Sequence, residues 1–318
     1  MSIEAILWRP NGQDEEVDFS DRKRRRLSKE ELLWVDCESP SDDDRESVTK
    51  ALGLSDDAAQ ALGAEPEGPD ARVLEGAVEI VVLSLADHKK TDPVVLQILM
   101  GREWIITRHD EPLPFLDKHR ERMRDEREVG RLEPVEFLVT VLDWHVDTFF
   151  AAADDLEHKV DELDDAALRR DDDLLQSLVA MRRRIARVRR LVGRHREVFA
   201  ELSRPDFLAD LDERQSSAIA HEAERLTRAS EAVAHVREML IGTFDVHMTR
   251  TAQRTNDIMR VLTWASVILL PAAVLAGIMG MNFKLDFFSD PTFFWVVIGF
   301  MVLLAASTLL VARLRGWL

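Results

Sequence analysis

A stripe of mostly polar and small residues, together with Met259 and Leu270, runs through the first of two long apolar stretches near the end of the chain. Its members recur every three or four residues, which places them on one face of an α-helix. Bulky residues such as Val261, Ile268 and Leu275 occupy the opposite face. Small residues let helices pack closely in lipid, and such a face can also line a polar path. The stripe comprises Asn256, Met259, Thr263, Ser266, Leu270, Ala273, Gly277 and Gly280, with Leu262 sharing the position of Thr263 if the helix is rotated.

The stripe lies in one of two segments that are long enough to cross a membrane. Between Arg260 and Lys284 there are 23 uncharged residues, and residues 291–312 provide 22 more. A helix of about 20 apolar residues spans a hydrocarbon core about 30 Å thick. We therefore predict transmembrane helices over 259–281 and 292–312, an outer loop at 282–291 and a tail at 313–318.

The basic residues predict the orientation of this membrane hairpin. Three arginines precede the first segment and two follow the second, whereas the loop holds one lysine and two aspartates. Because positive charge stays in the cytoplasm, we expect a multi-pass protein of the cell (inner) membrane with both termini cytoplasmic. The residues concerned are Arg250, Arg254, Arg260, Arg313 and Arg315, and in the loop Lys284, Asp286 and Asp290.

Composition excludes several classes of partner and chemistry. The formal net charge is −17, which argues against nucleic acid, since phosphate contacts require clustered Lys and Arg. An acidic soluble part beside a membrane suits a protein that concentrates cations. The single cysteine, Cys37, cannot form an intrachain disulfide. The sequence has neither a Walker loop nor Cys/His spacing typical of structural zinc, so we expect no enzyme activity and no cofactor.

Residues 1–130 are predicted to form a cytoplasmic α/β domain. Two stretches carry helix signals: Ser41 to Leu52, which opens with a serine N-cap and acidic residues, and Pro114 to Arg127. Residues 64–69 contain Pro and Gly and indicate a break. Short apolar and β-branched runs indicate strands at residues 6–8, 32–35, 78–83, 94–99 and 104–107.

The residue pattern of the remaining soluble part predicts long helices. Apolar residues recur every seven positions from Leu142 to Leu163, and a second stripe returns from Leu178 to Phe199. This pattern predicts an antiparallel hairpin of long helices over 131–205. A third heptad series predicts a stalk helix that begins after Pro205, covers 206–258 and continues into the first transmembrane helix. The fold class is therefore an α+β membrane protein.

Gly280-Met281-Asn282 at the outer end of the first span, followed by a short loop, a last span and a short basic tail, resembles the CorA family of divalent-cation transporters. The run from Asn256 to Thr263, Pro271 and Ala276-Gly277-Ile278 are also similar to that family. The resemblance covers residues 130–318 and the general layout of the first 130. It implies a homopentamer, embedded in membrane lipid, that moves Mg²⁺ and also cobalt or nickel into the cytoplasm.

The resemblance also assigns roles to the stripe and to the tripeptide. By this resemblance the stripe lines a pore, with Asn256 at the inner mouth and Met259 and Leu270 as apolar constrictions. Gly280, Met281 and Asn282 become the selectivity filter, and Asp286 and Asp290 become acids of the outer mouth. Magnesium gives up its water reluctantly, so a ring of five Asn282 carboxamides would hydrogen-bond the waters of the hydrated ion.

Four departures from the family pattern concern the preferred ion. Met279 stands where family members usually have Tyr, and Ala273 occupies a position that is often Thr. The loop lacks a Met-Pro-Glu-Leu-like segment, and the tail has two arginines rather than a basic run. Two alternatives to a magnesium transporter therefore stand. One is a zinc or other transition-metal transporter of the same fold, and the other is a membrane-anchored coiled-coil scaffold that transports nothing.

A regulatory Mg²⁺ site is a further expectation from the resemblance, which implies that cytoplasmic ion binds between neighbouring subunits and closes the pore. Such a site needs carboxylates from two subunits, because a bound cation relieves their mutual repulsion. The candidates are Glu222 and Glu224 on the stalk, with Asp87 or Asp92 from the α/β domain. Ordinary solvated charge is the alternative for each of them.

Overall fold

The structure is a computed structural model that describes residues 3–9, 15–17, 27–87, 92–125, 133–168, 173–204, 206–208, 211–281 and 291–314. These residues form two compact units, Met1–Phe244 and Asp245–Leu318. The first unit contains a mixed sheet and most of the helices, and the second contains the apolar helices.

A seven-stranded sheet forms the base of the first unit and confirms the predicted α/β domain. The strand order is β2-β1-β3-β7-β6-β5-β4, and only the β3–β7 pair among these is parallel. Val35 pairs with Ile106 across that parallel junction, and Ile80 pairs with Ile98 between β5 and β6. The strands are β1 (Ile3–Trp8), β2 (Glu15–Glu16), β3 (Leu32–Glu38), β4 (Asp70–Leu74), β5 (Ala77–Leu85), β6 (Pro93–Met100) and β7 (Trp104–His109).

Both faces of this sheet are buried, each in its own apolar core. Successive side chains of a strand point to opposite faces, so Trp34 packs in one core with Phe137 while its neighbour Val35 packs in the other with Leu62. The smaller core is closed by α1 (Asp42–Leu52) and α2 (Asp56–Gly63). The larger core is continuous with the long helices.

The first helix begins as the sequence predicts. The Ser41 hydroxyl accepts from the Asp44 backbone N–H, and the Asp44 carboxylate accepts from the Ser41 N–H, which completes a capping box. The second helix was not predicted, although Ser55 caps it in a similar way by accepting from Ala58 N–H. The break predicted at 64–69 separates α2 from β4.

The antiparallel hairpin consists of α4 (Pro134–Leu168) and α5 (Leu174–Arg194), preceded by α3 (Pro114–Asp125). Asp155 of α4 pairs with Arg184 of α5 at 2.7 Å. The returning limb is interrupted at His195, after which α6 (Arg196–Leu202) follows. The His195 ring is fixed at this break, where Nδ1 donates to Leu191 O at 2.8 Å and Nε2 accepts from Leu83 N–H of β5 at 2.9 Å.

The stalk helix α7 (Glu213–Met279) runs through Pro271, and α8 (Pro291–Leu314) follows it in the chain. The start of α7 corrects the predicted start after Pro205. Asp212 and Gln215 form a reciprocal cap, in which Asp212 Oδ1 accepts from Gln215 N–H at 2.6 Å and Gln215 Oε1 accepts from Asp212 N–H at 3.2 Å. The helix therefore begins at this cap rather than at 206.

Candidate ion-conduction site

Two helices among the described residues are long and apolar enough to cross a membrane. The most apolar windows of α7 and of residues Thr292–Val311 have mean hydropathies of 2.2 and 2.5, and none of either window is buried within the chain. An apolar surface of this extent must be covered by lipid or by other chains. The two predicted membrane spans are confirmed as candidate transmembrane helices.

Every residue of the predicted pore stripe lies on α7 or directly after it and is exposed. Met259 and Leu270 are 55% and 65% exposed, but Val261 and Leu269 outside the stripe are equally accessible at 68% and 65%. Exposure in a single chain therefore does not separate a pore face from a lipid face, and the chemistry of the side chains must do so. The exposed stripe residues are Asn256, Met259, Leu262, Thr263, Ser266, Leu270, Ala273, Gly277 and Gly280.

Two hydroxyl groups of the stripe present hydrogen-bond acceptors. Thr263 Oγ1 donates to Met259 O at 2.7 Å, and Ser266 Oγ donates to Leu262 O at 2.9 Å. Since each hydroxyl proton is used within the helix, the oxygen presents acceptor lone pairs outward. The waters around a cation point their hydrogens away from the ion, so these oxygens suit a hydrated cation.

The C-terminal end of α7 supplies further acceptors. The helix ends at Met279, where Gly280 N–H still donates to Ala276 O at 2.9 Å and Met281 N–H donates to Ile278 O at 3.2 Å. The last carbonyls of a helix lack intrahelical partners and carry partial negative charge. A Cβ built at Gly280 would lie 3.4 Å from Ala276 O, which is an ordinary contact, so the chain's own packing does not demand glycine there. The predicted Asn282, Asp286 and Asp290 lie outside the described residues.

The four candidate regulatory carboxylates are not brought together within the chain. Glu224 pairs with Arg228 at 3.6 Å, and Asp92 lies 4.0 Å from Arg187. Asp87 is half-buried and also has a partner. Within the part of the chain that the structure describes, no three His, Cys, Asp or Glu side chains are placed to hold a metal ion.

Glu222 is buried in a charged junction between α4 and α7. Arg225 contacts Glu222 at 3.3 Å and Asp147 at 2.5 Å, and it also pairs with Asp143. Burial and the charge of Asp147 raise the pKa of Glu222 to about 7. The charge of Arg228 lowers the pKa of Glu222 but does not offset this shift. Sequence reasoning missed Asp143 and Asp147, although their i,i+4 spacing placed them on one face of α4.

Comparison with known proteins decides the family. The model of the CorA-like Mg²⁺ transporter protein family matches residues 29–313. The chain belongs to this family. CorA-family proteins are transporters and not enzymes, so the chain is a member of a divalent-cation transporter family and the expectation of no enzyme activity holds.

Individual relatives agree with the CorA assignment. The cobalt/magnesium transport protein CorA of Methanocaldococcus jannaschii is 22% identical over 96% of this chain and 94% of that protein. The protein of the same name from Thermotoga maritima is 26% identical over 70% of this chain, and that match spans 64% of the relative's length. The complete structure of the CorA magnesium transporter from Methanocaldococcus jannaschii matches with a TM-score of 0.82 at 20% identity, covering 99% of this chain and 98% of that one. At this identity the structural likeness establishes the fold alone.

Proposed function

We propose that this CorA-family protein is a homopentameric, channel-like importer of Mg²⁺, and also of cobalt or nickel, in the cell (inner) membrane. Both termini lie in the cytoplasm. The observation that supports this proposal most strongly is the exposed stripe of α7, which combines outward-facing hydroxyl oxygens with small residues and ends at Gly280-Met281. Relatives named as cobalt/magnesium transport proteins support the choice of ion.

Selection occurs at the outer end of α7. Five copies of Asn282, beside the backbone of Gly280 and Met281, form a ring of neutral carboxamides. These amides hydrogen-bond the waters of the hydrated ion and spare it most of the dehydration that Mg²⁺ resists. Asp286 and Asp290 at the outer mouth raise the local concentration of cations.

Closure occurs deeper in the stripe. Met259 and Leu270 are separated by 11 helical residues, or about 16 Å along the axis at 1.5 Å per residue. Rings of such apolar side chains form constrictions that exclude water when narrow. Asn256 forms the inner mouth. Leu262 or Thr263 and Ser266 line the path between the two constrictions, and Ala273 and Gly277 line the path from Leu270 to the filter.

Transport runs down the electrochemical gradient. The membrane potential contributes about 2.3 kcal/mol per elementary charge per 100 mV, and a divalent ion carries two charges. An inward-directed potential of ordinary size therefore favours entry without a nucleotide.

Cytoplasmic Mg²⁺ closes the pore by binding between subunits. Glu224 and Asp92 are the better candidate ligands, because both are exposed and lie at long distances from their partners. Glu222 is the weakest candidate, because it is 4% exposed and already contacts Arg225. Asp87 is the remaining carboxylate from the α/β domain.

The ion is identified by flux into liposomes that contain the purified protein. We expect Mg²⁺ to enter faster than Zn²⁺ under equal gradients, and we expect cobalt and nickel to enter as well. The reason is that a filter that hydrogen-bonds the waters of the ion favours ions that hold their water strongly. Entry of Zn²⁺ alone would replace the magnesium assignment with a zinc transporter. Absence of flux for all four ions would favour a scaffold.

A second experiment tests whether the ion keeps its water. Hexaamminecobalt(III) resembles hexahydrated Mg²⁺ in size and presents donors on every face, but it does not exchange its ligands. We expect it to block Mg²⁺ flux from the outside, and to block less strongly in the Asp286→Asn/Asp290→Asn double variant, since these acids attract the complex over about 8–10 Å. Mg²⁺ flux that ignores the complex would contradict recognition of the hydrated ion.

A further inference from the structure

Four arginines line one groove on the surface of the first unit, between α5 and the part of α7 that belongs to this unit. Arg182, Arg189 and Arg190 come from α5 and Arg237 comes from α7, and all four are exposed. The groove encloses about 580 Å³, and its floor includes Ile185 and Leu240. Pockets of this size hold small organic ligands.

These four side chains make no ion pair or hydrogen bond within the described part of the chain, unlike their neighbour Arg184, which pairs with Asp155 at 2.7 Å. A shortage of acids does not explain this, because the chain has 59 Asp and Glu against 42 Lys and Arg. Four like charges around one groove repel each other unless an anion lies between them. The groove therefore presents concentrated positive charge on an acidic protein.

The arginine-lined groove continues into an apolar half. A second depression of about 270 Å³ shares Arg182, Arg237 and Leu240 with the first, and it is completed by Leu178, Val179, Ile241 and Phe244. Val179, Ile241 and Phe244 are 42%, 47% and 39% exposed. A ligand that fills both halves is therefore expected to be negatively charged at one end and apolar at the other.

We propose that this groove binds a nucleoside di- or triphosphate. The planar guanidinium groups of the arginines match phosphate oxygens with paired, charge-assisted hydrogen bonds. The nucleoside lies over Ile241 and Phe244, since every base has a face that stacks on aromatic and apolar side chains. The inference goes beyond the proposed transport function, because binding requires no ion flow.

The test measures ATP binding to the full chain in detergent by equilibrium dialysis. The buffer is free of Mg²⁺, so that complexes between ATP and the proposed cargo do not confuse the result. We expect saturable binding that weakens at least about tenfold in Arg182→Gln/Arg237→Gln, because two charge-assisted contacts are lost. The matched control is Arg183→Gln: this neighbouring arginine is exposed but does not line the groove, so its loss should leave binding unchanged.

The apolar half is tested separately with Ile241→Ser and with inorganic tripolyphosphate. We expect ATP to bind more tightly than tripolyphosphate, and Ile241→Ser to weaken only the binding of ATP. All substituted side chains are exposed, so an unchanged thermal midpoint is expected and is measured alongside. Absence of saturable ATP binding, or equal affinity of the parental protein and the double arginine variant, would overturn the proposal. Equal affinity for ATP and tripolyphosphate would overturn the placement of a nucleoside.

Discussion

At the scale of single residues, Glu222 shows how the fold holds a carboxylate at an energetic cost. It is 4% exposed and shares Arg225 with Asp143 and Asp147. Burial raises its pKa to about 7 from the ordinary value of 4.5. Between these values the folded chain binds more protons than the unfolded chain does, so stability falls as pH rises through this window.

The Glu222→Gln variant tests this pH dependence. Glutamine resembles the protonated acid, so we expect the variant to melt at a higher temperature than the parental protein above about pH 7, with the difference disappearing towards about pH 4.5. Melting of the purified full chain across this range measures the effect. Glu224→Gln is the control, because Glu224 is exposed and pairs only loosely with Arg228. If the melting temperatures of Glu222→Gln and of the parental protein differ by the same amount at every pH, the raised pKa of Glu222 is contradicted.

The burial and the raised pKa of Glu222 could not be predicted from the sequence. The heptad series of α7 predicts that Ile219, Leu226, Val233 and Leu240 are buried, and all four are. Glu222 lies three residues after Ile219 and therefore on the same face, but an acid in that position is more often solvated. Arg225 lies three residues further along the same helix, but Asp143 and Asp147 approach Glu222 only because α4 packs against α7.

At the scale of elements, the cap at Asp212 sets where the stalk helix begins. We expect Asp212→Ala to destabilise the first unit by about 1 kcal/mol, because Gln215 N–H loses its acceptor. For a unit of this size that corresponds to a fall in melting temperature of about 2–4 °C. Asp212→Asn is the matched control, since asparagine caps as well as aspartate does. Equal losses of stability in Asp212→Ala and Asp212→Asn would mean that the charge of Asp212, rather than its capping hydrogen bond, stabilises the unit.

The elements that sequence reasoning found are those with a strong local signal. The strands β5, β6 and β7 contain short apolar and β-branched runs, and α1 opens with Ser41 and acids in its first turn. The missed elements depend on distant partners. Strand β4 has mostly exposed residues and is held by pairing with β5, and the break before α6 falls at His195, whose ring accepts from Leu83 N–H of the distant strand β5.

At the scale of the whole molecule, the membrane hairpin and the family could be predicted because both follow from contiguous residues. Uncharged runs of membrane-spanning length need no tertiary information, and Gly280-Met281-Asn282 occurs at the end of such a run. The regulatory carboxylates differ, because their predicted site lies between subunits. The single chain instead pairs Glu224 with Arg228 and places Asp92 near Arg187. Their role as ligands remains a proposal.

The most direct test of the whole assembly is Mg²⁺ flux into liposomes carrying the Asn282→Ala variant. We predict that flux is abolished while the assembled protein elutes at the parental size, because the ring loses the carbonyl oxygens that accept hydrogen bonds from the ion's water. Asn256→Ala is a useful comparison at the proposed inner mouth, where loss of the proposed amide ring should slow flux without abolishing it. Mg²⁺ entry at the parental rate through the Asn282→Ala pore would contradict the account.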